Sequence, residues 1–117
     1  MAVIAEITRA RDGAGVCPQC VVADTAWLRL KGLLGRKGLE PDEGLLIRPA
    51  GSIHMFWMRF AIDAVFLDRD GEVLKVAADL RPWRVAGCRG SKQVLELPAG
   101  SAARVGLQAG DVLTLPN

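Results

Sequence analysis

One histidine, three cysteines and no long apolar run set the first limits on this 117-residue chain. No stretch approaches the roughly 20 apolar residues of a membrane span, so no membrane partner is expected. The start, Met1 to Ala10, carries Glu6 and Arg9 before the ~7–15 apolar residues of a signal peptide could accumulate, so it reads as none. Charge of one sign is missing too. The balance of 15 basic against 13 acidic residues leaves +2, too even for a protein that lives on a phosphate backbone, and no nucleic-acid partner is expected. An odd number of cysteines argues against a disulfide framework and for a reducing compartment, which makes the expected location cytoplasmic. There is no internal repeat, low-complexity segment or linker. With half of the residues hydrophobic, residues 1–117 read as a single domain with a sizeable core.

What is present has the texture of strands and turns. Val3–Thr8 and Val16–Ala23 read as two strands around the Asp12-Gly13-Ala14-Gly15 turn. Asp24 or Thr25 suits an N-cap, and Trp27, Leu30 and Leu34 then share a helical face up to a C-terminal cap at Gly35. Gly32 inside this segment implies either a close backbone contact or a shorter helix. Leu45–Arg48, Ile53–Met58, Phe60–Leu67, Glu72–Ala77, Trp83–Ala86, Gln93–Leu97 and Val112–Leu115 read as further strands. Asp68-Arg69-Asp70-Gly71 is the strongest hairpin signal, since Gly71 supplies a positive φ. Ser101 suits the cap of one helical turn. The expected fold is mainly β (bordering on α+β), a small antiparallel barrel-like or curled sheet with one or two short helices.

The residues that could carry chemistry are few. Cys17-Pro18-Gln19-Cys20, with Cys88 and His54, would supply one Cys₃His set for a tetrahedral metal. A lone C-x-x-C without a second pair is better read as small buried hydrophobes, so neither metal nor cofactor is expected. Embedded carboxylates say more. Alternation places Asp63 among Ala61, Val65 and Leu67, and Glu96 with Val94, between Leu95 and Leu97. A carboxylate removed from water must be paired, hydrogen-bonded or protonated, so each either pins the fold or marks a site. His54 opens a segment dense in large side chains, in which alternation groups His54 with Phe56 and Met58 and sets Met55, Trp57 and Arg59 opposite. Such a strand is either core or the wall of a pocket. Ser52 precedes the histidine, but no G-x-S-x-G elbow exists for a serine triad. Arg81 to Lys92, with Trp83 and Arg84, reads as the longest loop, able to close over an anionic or aromatic ligand.

Several segments in order carry a family likeness: Arg29-x-x-Gly32-Leu33-Leu34-Gly35-Arg36, Gly44-Leu45-Leu46, and His54-x-x-x-Met58-Arg59-Phe60-x-Ile62-Asp63-x-Val65-Phe66-Leu67-Asp68. Pro82-Trp83-Arg84, Val94-Leu95-Glu96-Leu97-Pro98-Ala99-Gly100 and Gly106-Leu107-x-x-Gly110-Asp111 continue it. Across roughly residues 3–115 the chain resembles the uncharacterised bacterial and archaeal family called domain of unknown function 192. The resemblance implies a compact, mostly β fold with no established activity, and it matches at His54, Met58, Asp63, Glu96, Gly100, Gly110 and Asp111. The C-x-x-C is not part of that pattern, and other residues are common at the position of Trp57.

Three functions follow as expectations. The first is a small-molecule-binding module with ligand contacts among His54, Met58, Asp63, Trp83, Arg84 and Glu96. The second is an interaction or accessory domain without chemistry. The third is a hydrolase using Asp63 and Glu96 as an acid/base pair. Sequence leaves the ligand, the oligomeric state and the pathway open.

Overall fold

A computed structural model describes residues 3–117, apart from the side chains of Ala26 and Leu30. The apolar alternation resolves into nine strands: β1 (Val3–Arg9), β2 (Gly15–Ala23), β3 (Glu43–Ile47), β4 (Ser52–His54), β5 (Ile62–Leu67), β6 (Val73–Leu80), β7 (Val85–Gly87), β8 (Gln93–Pro98) and β9 (Leu113–Thr114). The helices are α1 (Ala26–Lys31) and α2 (Ser101–Arg104). Seven strands form one sheet in the order β6-β5-β8-β3-β2-β1-β9, while β4 and β7 make a separate two-stranded ribbon. Pairing is antiparallel except between β2 and β3, which α1 connects and which therefore run parallel.

Twist curls the large sheet into a half-barrel until its two ends nearly meet. Glu72 bridges to Val112, the Leu113 amide donates to the Gly71 carbonyl at 2.9 Å, and the Val73 amide donates to the Asp111 carbonyl at 2.7 Å. Gly71 is obligatory at this seam. Its φ is +92°, and a Cβ there would lie 2.5 Å from the Leu113 carbonyl oxygen. The hairpin glycine anticipated from sequence thus also closes the curl.

The two faces of the sheet hold different cores. Inside the curl, Ile7, Leu46, Val65, Leu67, Leu95 and Leu97 pack with Cys17, Cys20 and Leu113. On the outer face, Ala64, Phe66 and Val94 are covered by Ile53, Ala86 and Cys88 of the β4–β7 ribbon and the residues beside it. Leu45, Ala23 and Ile62 pack with Leu33 and Met55 further along the same face.

Three local expectations are corrected. The helix stops at Gly32 (φ +48°), which caps α1, rather than at Gly35, and Trp27 and Leu34 are exposed instead of forming a buried face. The part of that face resting on the Leu30 side chain lies outside the described residues. Thr25 is the N-cap, its hydroxyl accepting from the Leu28 amide at 3.2 Å. The Ile53–Met58 strand ends at His54 because residues 55–58 turn, with the Met58 amide donating to the Met55 carbonyl at 3.3 Å and Trp57 at φ +67°. Ser101 is the first residue of α2 rather than its cap. The acceptor that a cap would supply comes from Asp63, described below.

Candidate functional site

Strand register decides which of the candidate residues can meet. On β5 and β8, Ala64 faces Glu96 and Asp63 faces Leu97. Directly opposed residues share a face, so Asp63 points into the curl and Glu96 points out of it. Their side chains project from opposite sides of one sheet. This geometry overturns the acid/base pairing of Asp63 with Glu96.

Asp63 is a fully satisfied structural carboxylate. One oxygen accepts the Asp79 amide and the other the Ala102 amide, both at 2.9 Å. The first contact fixes the end of β6, where Asp79 has φ +51° and the β5–β6 register shifts. The second satisfies an otherwise orphan N–H in the first turn of α2, the service a capping side chain would give. The aspartate therefore ties β5, β6 and α2 together.

Glu96 has the opposite surroundings. In register it lies between Leu45 of β3 and Ala64 of β5, and it is 6 % exposed. Among the described residues its carboxyl has neither a hydrogen-bonding partner nor an ion pair. Burial alone pushes its pKa up from 4.5 to about 7. The carboxyl lies at the floor of a cleft of about 270 Å³. One wall is the end of α1 and the turn after it, including Arg29, Gly32 and Leu33. The other is Ile53 and His54 of β4 with Met55 and Met58 of the following turn.

The turn that carries Met55 and Met58 is held by its main chain. The Met55 amide donates to the Arg84 carbonyl at 2.7 Å, and the Met55 carbonyl accepts the Trp83 amide at 2.8 Å. This clamp joins residues 55–58 to residues 81–84 and leaves Trp57 and Trp83 at φ +67° and +71°. Both conformations are uncommon for bulky side chains. Outside the cleft, Phe56 stacks on His54 with ring centroids 4.8 Å apart, and Trp83 meets Phe56 at 6.0 Å and Trp57 edge-on at 5.0 Å. An exposed aromatic ledge thus continues from the histidine at the cleft wall.

Of the six expected ligand contacts, the fold brings His54, Met58 and Glu96 to one cleft. Trp83 and, through the main-chain clamp, Arg84 belong to the adjoining ledge, and Asp63 is on the far face. The expected long loop is interrupted by β7, which pairs with β4, the strand that supplies Ile53 and His54 to the wall. Arg29, Leu33, Ile53 and Met55 line the cleft although sequence reasoning did not single them out as contacts. The helix-breaking Gly32 was the available signal for the first two, because it turns the chain after α1 back toward β4. The cysteines and the histidine do not converge: Cys17 and Cys20 are inside the curl, while Cys88 and His54 lie on the ribbon side. Gly44 is what admits Cys17, since a Cβ there would lie 2.6 Å from the cysteine sulfur.

A curled half-barrel whose outer face carries a ribbon-walled cleft is the architectural class. The profile of the family described as "Uncharacterized ACR", domain of unknown function 192, matches residues 7–115, and the chain belongs to this family. It is 34% identical over 99 residues to a UPF0127 protein of Thermococcus sibiricus, an alignment covering 77% of this chain and 61% of that relative. The chain thus spans less than two thirds of the relative's length. A solved protein of unknown function from Novosphingobium aromaticivorans is similar with a TM-score of 0.83 and 26% identity, covering 96% of this chain and 85% of that one. A second solved structure, from Sinorhizobium meliloti, is similar with a TM-score of 0.80 and 25% identity over 93% of this chain and 89% of that one.

Proposed function

We propose that this member of the family is a small-molecule-binding module and that the cleft over Glu96 is its site, with His54 and Met58 in the walls. One observation carries the reading: the carboxyl of a buried residue, with no protein partner among the described residues, opens into a cleft. Leaving a charged or polar group unpaired in apolar surroundings is destabilising, so the arrangement fits a group kept available for something that enters. The cleft's volume sits just under the ~300–1,000 Å³ of drug-sized sites, which suits a compact ligand. A cytoplasmic location accompanies this reading, supported by three cysteines that stand as free thiols.

The test is a thermal-shift screen of a metabolite library against the wild-type protein and the Glu96→Gln variant. The expected result is a compound that raises the wild-type Tm and raises that of E96Q much less. Shifts of equal size in both proteins for every hit would end the assignment of the site to this cleft. The aromatic ledge favours a second reading, a surface for another macromolecule. Under that reading Trp57→Ala and Trp83→Ala abolish association while E96Q leaves it intact.

A further inference from the structure

We propose that the cleft takes a compact zwitterion, with a cationic amine against Glu96 at the floor and an anionic group, carboxylate or phosphate, against Arg29 in the wall. The inference rests on the small-molecule reading above and names the chemistry of its ligand.

Two groups of opposite charge line one cleft without neutralising each other. The Arg29 guanidinium is half-buried and donates only weakly, to the main-chain carbonyls of Asp24 at 3.3 Å and Arg48 at 3.5 Å. Among the described residues it makes no ion pair with Glu96 or any other acid. Opposite charges near a protein surface attract when they can approach. Here Glu96 is rooted in the centre of the sheet and Arg29 in a six-residue helix, with apolar side chains such as Leu33, Met55 and Met58 also lining the cleft. An intervening molecule of reversed polarity satisfies both.

Each end has the matching donor chemistry. A carboxylate with no protein partner at the floor of the cleft accepts N–H donors, which an ammonium supplies in number. A guanidinium held by main-chain carbonyls still has N–H groups for a carboxylate or phosphate oxygen, in the fork geometry that favours such anions. Lys31 at the cleft adds positive charge on the arginine's side. The titratable groups that share the cleft with Glu96 are Arg29 and Lys31 from α1 and His54 from β4, while β3 and β5 present Leu45, Ile47 and Ala64, none of which titrates.

The experiment uses the full chain with ¹³C-methyl methionine, reading the Met55 and Met58 methyl resonances by NMR. The titrants are 4-aminobutanoate, 6-aminohexanoate and 2-aminoethyl phosphate, each against the amine and the acid of the same length. The expected result is a zwitterion that binds about tenfold or more tighter than either single-headed partner. E96Q reduces it to the affinity of the acid, and Arg29→Gln to that of the amine. Its affinity also falls as pH drops from 8 to 6, because protonation removes the Glu96 charge, and E96Q loses that dependence while His54→Gln keeps it. The carboxylate and phosphate arms show which anion the arginine prefers. If single-headed or neutral compounds move the methyls as strongly as any zwitterion, the inference is overturned and the small-molecule reading stands. If no compound moves them and the metabolite screen also finds none, the reading falls with it.

Discussion

Asp63 and Glu96 are two buried acids one register step apart on neighbouring strands, and they have opposite fates. Asp63, inside the curl, accepts two main-chain N–H groups and needs nothing more. Glu96, outside it, lies between Leu45 and Ala64 and has no partner among the described residues. Residue type and depth are nearly the same. The difference is what the chain brings opposite: a helix start and a bulged strand end for one, an open cleft for the other. A buried carboxylate is therefore informative only once its partners are known.

Removing each acid should have opposite consequences. Asp63→Ala orphans the buried Ala102 N–H, at about 1–3 kcal/mol, and the more exposed Asp79 N–H, which water can partly satisfy, so urea unfolding should show a loss of roughly 2–4 kcal/mol. Ligand affinity at the cleft should survive wherever that variant remains folded. A stability-neutral D63A would contradict the structural role.

Glu96→Gln should do the reverse at neutral pH and above. Its folded pKa, about 7, exceeds the ordinary 4.5, so between these values the folded state holds a proton that the unfolded state has released. Stability must then fall as pH rises from about 4.5 to about 7 and stay low above it. The loss is on the order of 3 kcal/mol at pH 8 by linkage. E96Q should regain much of it and flatten the profile, measured as urea midpoints at pH 5 and pH 8. A wild-type profile that rises across this window would show the carboxyl to be paired after all.

The smallest effect is expected on the ledge. Trp57 is 73% exposed, and alanine tolerates φ +67° no better than tryptophan does, so Trp57→Ala should change stability by about 0.5 kcal/mol or less. A larger loss would make the ledge a structural partner of the cleft wall rather than a free surface.

Much of the β framework was legible in the residues. Alternation in Ile62–Leu67 correctly divided Asp63, Val65 and Leu67 from Ile62, Ala64 and Phe66, because strand periodicity is fixed by the pleat. Thr25 and Gly71 carried their capping and turn chemistry locally. The segment after His54 was misread because its apolar density mimics a strand, whereas contacts with residues 83 and 84 fold it into a turn. No local signal could reveal that clamp, since its partners are nearly thirty positions away in the chain. Half of the cleft was visible for a similar reason: His54, Met58 and Glu96 are conspicuous as residue types, while Arg29 and Leu33 matter only through where α1 stops.

By itself the sequence determined a β-rich core, a short capped helix, a hairpin at Gly71 and two carboxylates placed where water is scarce. Those outcomes depend on neighbours within a few positions, where pleat, cap and turn geometry operate. Only the tertiary structure decided that Asp63 would be satisfied and Glu96 left open to a cleft. That choice depends on register between strands more than thirty residues apart, and a shift by one residue between β5 and β8 would put both acids on the same face of the sheet.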